Sequence, residues 1–172
     1  DMKHILLPAN NASTWTGPTG NNTWLLPGRT PTLIDAGVGN PEHIEAIAQA
    51  LDGRPLALVL ITHGHSDHLN GVPAITARWP DVRIRRFGSG DHPLEDGEVI
   101  AAGDGTVTTL HTPGHAPDHC CFLDGELVIP VFVLLIGLNE RMIIAVIAFA
   151  SLWPVLLGTV HGFKTIEPRL IE

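Results

Sequence analysis

The stretch Thr62-His63-Gly64-His65-Ser66-Asp67-His68 places three imidazoles and a carboxylate within six residues. Imidazole nitrogen and carboxylate oxygen are ligands for zinc and similar divalent ions, and a catalytic zinc keeps one position open for water. The spacing H-x-H-x-D-H is much rarer than a lone histidine pair, so a polar surface loop that carries histidines by chance is the weaker reading. The chemistry it points to is hydrolysis by a metal-bound hydroxide, with the metal polarising the reacting oxygen and Asp67 orienting the hydroxide or accepting a proton.

Such groups need a rigid support, and the apolar run Leu56-Ala57-Leu58-Val59-Leu60-Ile61 just before them reads as a buried strand. Further strands are expected at His4–Leu7, Thr23–Leu26, Thr32–Asp35, Val82–Arg86, Val107–His111 and His119–Leu123. Asn40-Pro41 caps a helix running to Leu51, with Ile44, Ile47, Ala48 and Leu51 toward the core. A second helix is expected from Val72 to Trp79, and Asp124-Gly125 reads as a hairpin turn. Alternating strands and helices imply a layered α/β (α+β) sandwich.

Composition bounds the rest. The 172 residues suit a single domain, 1–172, and the net charge of −8 argues against a basic nucleic-acid surface, so RNA is not the favoured partner. Cys120 and Cys121 are adjacent, would point to opposite faces of a strand and read as small core residues in a reducing compartment. The two Asn-x-Ser/Thr sites, at Asn11 and Asn21, read as chance, and no secretory signal opens the chain, so a cytoplasmic location is expected. His4, His43 and His92 read as surface histidines, and His111 and His119 as supports of the loop between them. Trp15 and Trp24 line a substrate cleft or pack in the core.

The last third changes character. Between Leu127 and Val160 the only charged residues are Glu140 and Arg141, and Met142–Val160 is a run of 19 uncharged residues, long enough to span a membrane. Pro154 and Ser151 interrupt it. A strand, an over-hydrophobic helix packed on the sheet and a strand at Val155–Leu157 is the reading preferred to a membrane hairpin through 127–160.

The metal loop, with Leu33-Ile34-Asp35-Ala36-Gly37 before it and His111-Thr112-Pro113-Gly114-His115 after it, resembles the metallo-β-lactamase superfamily, including its glyoxalase II-like hydrolases. The resemblance covers roughly Asn10 to Asp124 and extends weakly to Val155-Leu156-Leu157-Gly158-Thr159-Val160-His161-Gly162. It implies a four-layer αββα sandwich, incomplete in its second half. It gives His63, His65 and His115 to a first metal, Asp67, His68 and His161 to a second, and to Asp35 a supporting place beside the site. His115 is otherwise a turn histidine and His161 a partly buried one.

One departure stands out. The family's bridging aspartate falls where this chain has Val131-Phe132, and no carboxylate occurs between Glu126 and Glu140. One bound zinc, or another divalent ion, is therefore expected rather than two. The resemblance implies hydrolysis of an ester, thioester, amide or phosphodiester in a small-molecule substrate. The alternatives are a catalytically impaired relative that binds one metal or a partner, and a membrane-associated one.

Overall fold

The computed structural model describes residues 2–14 and 16–125 and the backbone of 127–129. The expectations for Trp15, Val131-Phe132, the strand at 155–157, His161 and the apolar run 127–160, beyond the backbone of 127–129, lie outside the described residues.

Two sheets form. The first has the order β1 (Ile5–Pro8), β2 (Asn22–Leu26), β3 (Thr32–Ile34), β4 (Leu58–Ile61), β5 (Arg83–Arg86), with β1/β2 and β2/β3 antiparallel and β3/β4 and β4/β5 parallel. Parallel neighbours need crossovers. Helix α1 (Pro41–Leu51) makes the one from β3 to β4, and α2 (Ser66–Leu69) with α3 (Val72–Arg78) makes the one from β4 to β5. The second sheet is antiparallel, in the order β6 (Val99–Ala102), β7 (Gly105–His111), β8 (Cys120–Asp124), β9 (Leu127–Ile129). Asp124 pairs with Leu127, which closes the hairpin expected at Asp124-Gly125.

Strand β4 shows why the layers stack. All four of its residues are buried, and because side chains alternate across a strand they serve two cores. Val59 and Ile61 join Ile47 and Leu51 of α1 and Ile75 of α3. Leu58 and Leu60 join Ile100, Val107 and Phe122 of the second sheet. Helix, sheet and sheet are thus three layers of an αββα sandwich, and truncating a central leucine such as Leu60 to alanine would cost roughly 2–5 kcal/mol. Trp24 packs on the inter-sheet cluster, which favours the core reading for that residue.

Strand β6 was not expected, because Val99-Ile100-Ala101-Ala102 is short and only Ile100 and Ala102 are buried. Helix α1 begins as expected, with Asn40 Oδ1 accepting from the Glu42 amide at 2.9 Å and Pro41 in the first turn. Its buried stripe, however, runs through His43, Ile47 and Leu51. His43 is therefore a core residue and not the surface histidine that its type suggested. Its Nε2–H donates to Thr23 Oγ1 at 2.8 Å, and the Thr23 hydroxyl donates to the Leu7 carbonyl at 2.9 Å. Its Nδ1 is shielded from water and has no partner among the described residues.

Burial lowers the His43 pKa to about 4, so the unfolded chain takes up a proton there before the folded one does. Stability from this group is complete above about 6.5 and is lost as pH falls toward 4. We expect His43→Leu to flatten the loss of stability over that interval by on the order of 2–3 kcal/mol relative to the parent, whatever it costs at neutral pH. Urea unfolding at a series of pH values reads the difference, and parallel curves for the two proteins would refute it.

Candidate metal centre

The site lies where the carboxyl ends of β3 and β4 open side by side, the usual place for ligand groups in a parallel sheet. Asp35 follows β3 with φ at 65°, a left-handed conformation that an L residue adopts at a cost. Its carboxylate is almost wholly buried and fully engaged. It accepts from the Thr62 amide at 2.8 Å, from the Thr62 hydroxyl at 2.9 Å and from His68 Nδ1 at 2.7 Å. These bonds fix one tautomer of His68, with the Nδ1 proton committed to Asp35 and Nε2 facing the site.

His63 is oriented by the same aspartate at one remove. Its Nδ1–H donates to Thr62 Oγ1 at 3.1 Å, which leaves the Nε2 lone pair free. Burial, helped by the nearby His68, lowers the His63 pKa to about 4, so the ring is neutral near pH 7. Its Nε2 lies 3.1 Å from His65 Nδ1, and His115 Nε2 lies 3.0 Å from that same His65 atom. One ligand nitrogen from each of the three rings falls within 4.8 Å of the others. Four ligands arranged tetrahedrally at zinc distance would stand about 3.3 Å apart. Three imidazoles converging at that spacing suit a divalent ion of the zinc type, and His65 and His115 are exposed, so one side of the set is open to solvent.

His115 comes from the second sheet. The loop between β7 and β8 is drawn to the metal loop by the Cys120 amide, which donates to the Thr62 carbonyl at 2.8 Å. At the end of β7 His111 stacks on Phe87 with ring centroids 3.9 Å apart, and within the loop His119 Nδ1 meets Thr112 Oγ1 at 2.9 Å. Burial and the charge of His115 hold His119 below the ordinary histidine value. Burial pushes the Cys120 thiol up to about 12, which makes it a core group and not a nucleophile.

Asp67 and His68 sit on α2, a single helical turn, rather than in open loop. Asp67 Oδ2 and His68 Nε2 are 3.5 Å apart. Between them reaches a residue that sequence reasoning passed over. Asn21 Nδ2 donates to Asp67 Oδ2 at 2.7 Å and stands 3.1 Å from His68 Nε2. Asn21 is 3% exposed, so its Asn-x-Thr context is no surface glycosylation site. Burial acts to raise the Asp67 pKa, but the Asn21 hydrogen bond and the facing His68 outweigh it and hold the carboxyl below its usual range. For His68 burial acts downward, while the charge and hydrogen bond of Asp35 prevail and raise the pKa. In the sequence Asn21 stands in an Asn-x-Thr context just before a buried strand, and neither feature points to Asp67 or His68.

The residues from 16 to 86 match the family model described as the metallo-beta-lactamase superfamily. An atrochrysone carboxyl ACP thioesterase of Aspergillus fumigatus is 40% identical over 111 residues, 60% of this chain and 26% of that protein. A lactamase-like protein of Emericella nidulans is 41% identical over 114 residues, 62% of this chain and 37% of that protein. A metallo-beta-lactamase family protein of Thermus thermophilus superposes with a TM-score of 0.57 at 20% identity, covering 69% of this chain and 55% of that one. The FEZ-1 metallo-beta-lactamase of Legionella gormanii does so at 0.53 and 20%, covering 59% and 50%. This chain belongs to the metallo-β-lactamase superfamily. It spans well under half the length of the curated relatives named here. The metallo-β-lactamase fold implies divalent-metal binding, and a cluster of three histidines is present in this chain.

The turn that delivers Asp35 is held to the metal loop by close backbone contact. The Ala36 amide donates to the His68 carbonyl at 2.8 Å and the Gly71 amide to the Gly37 carbonyl at 2.9 Å. A methyl group at position 71 would overlap the Ala36 carbonyl oxygen. Gly71→Ala is expected to destabilise the domain by roughly 1–3 kcal/mol. Urea unfolding checks this, and a neutral result would show that the contact is not rigid.

Proposed function

We propose that this domain is a metal-dependent thioesterase that acts on acyl groups carried by a small thiol or by a carrier-protein arm. The observation that carries the reading is the convergence of His63, His65 and His115 nitrogens within 4.8 Å on a face open to solvent. The relatives named as ACP thioesterases favour a thioester over the other acyl and phosphoryl substrates open to this superfamily.

His63, His65 and His115 would hold the ion, and His63 arrives neutral with its lone pair free. When bound there, a divalent ion of the zinc type supplies Lewis acidity, polarising a carbonyl and acidifying a water molecule. Asp67, kept ionised by Asn21 and His68, orients the attacking water and accepts its proton. Asp35 and Thr62 do not touch the substrate. They hold His63 and His68 in the tautomers the site requires.

Removing metal with a chelator is expected to abolish thioester hydrolysis, and zinc should restore it. Activity that persists after verified metal removal would end this reading. His115→Ala is expected to lower kcat/KM at least 100-fold while leaving the melting temperature within a few degrees, because the side chain is exposed. Thr62→Val keeps the shape but breaks the link between Asp35 and His63. It should weaken zinc binding about 10- to 100-fold in a competition titration with a chromophoric chelator, and an unchanged affinity would refute the relay.

A further inference from the structure

We propose that the Asn21 carboxamide occupies the coordination space of a second cation, so that this chain binds a single ion. The inference rests on the reading that His63, His65 and His115 bind the first ion, and it concerns the neighbouring pair, Asp67 and His68. Their Oδ2 and Nε2 atoms are 3.5 Å apart, a separation that one ion could bridge. Both atoms are already engaged by the same nitrogen. Asn21 Nδ2 lies 2.7 Å from the carboxylate oxygen and 3.1 Å from the ring nitrogen, so its two hydrogens serve one acceptor each.

The orientation of the amide is set by its partners. Turned over, Asn21 would present its carbonyl oxygen to the Asp67 carboxylate at 2.7 Å, oxygen against anionic oxygen. A neutral imidazole nitrogen also has one lone pair. His68 commits its Nδ1 proton to Asp35, so the Nε2 lone pair either accepts from Asn21 or binds a metal, and cannot do both. Space leads to the same conclusion. An ion about 2.0–2.1 Å from both atoms, on the side from which the amide donates, would come within roughly 1.3 Å of Nδ2.

Asn21 is well placed to hold this position. It is 3% exposed, it stands at the threshold of β2, and its own backbone amide donates to Asn11 Oδ1 at 2.8 Å, which anchors the residue. The consequence for mechanism is a division of labour. Asp67 is left free of metal to handle a proton, held by the amide in the orientation that this requires.

The test is zinc stoichiometry of the full chain, measured by elemental analysis after dialysis and by calorimetric titration with zinc alone. The parent protein should hold one ion per chain. Asn21→Ala and the milder Asn21→Ser should hold two, with a second binding event in the titration and the first retained. A parent protein that takes two ions overturns the proposal. So does a folded Asn21→Ser variant that still takes only one, an outcome that leaves the three-histidine reading standing. No ion in any form would overturn that reading and the proposal together.

Discussion

The Asp35 carboxylate is the interaction on which the rest of the site depends. A buried carboxylate is tolerable only when its lone pairs are filled, and Asp35 fills them with the Thr62 amide, the Thr62 hydroxyl and His68 Nδ1. Each bond also does something for the site. The amide bond fixes where β4 ends, the hydroxyl passes orientation on to His63, and the imidazole bond sets the tautomer of His68. A positive φ at Asp35 turns the carboxylate back across β4, and the strain is held in place by the Ala36–His68 and Gly37–Gly71 backbone bonds. One strained residue at the end of a strand thereby organises two histidines 28 and 33 positions further along the chain.

The second constraint is the meeting of the two sheets. His63 and His65 belong to the loop that leaves the first sheet, whereas His115 comes from a loop of the second. Their nitrogens can converge only if the sheets are held in register at this edge. The Cys120 amide bonded to the Thr62 carbonyl does so beside the ligands, and the cluster of Leu58, Leu60, Ile100, Val107 and Phe122 does so behind them. Core packing and ligand geometry are in this sense one problem. A shift between sheets of an ångström would open a set of nitrogens whose nearest separations are 3.0 and 3.1 Å.

The fold was legible in the sequence where local pattern and burial agree. The run 58–61, the Asn40-Pro41 cap and the Asp124-Gly125 turn carry their own signals and fell where expected. Strand β6 escaped because two small residues and an exposed valine give almost no period. His43 escaped because its residue type outweighed its position, although it lies four residues before Ile47 on the face that α1 buries. In the candidate site, His63, His65, Asp67 and His68 stood out because they are neighbours in the chain. Asn21 did not, since it lies 46 positions before Asp67 and nothing about an asparagine in a glycine-rich loop announces a partner so distant. Ligand loops are local and so can be read. The groups that tune them come from the fold.

The electrostatics show how one residue type is put to two uses. His63 and His68 are both buried, and burial alone would lower the pKa of each. His68 touches the Asp35 carboxylate directly and is raised. His63 touches it only through the Thr62 hydroxyl and stays low. A single hydroxyl interposed between carboxylate and ring thus separates a histidine whose pKa is raised from one whose pKa is lowered. Asp67 completes the pattern, because Asn21 offers it a neutral N–H donor that favours its anion without adding positive charge. Replacing Asn21 by a cation would favour the Asp67 anion as well, but it would oppose the binding of a positive ion at the histidine cluster. A neutral donor is the choice that serves both.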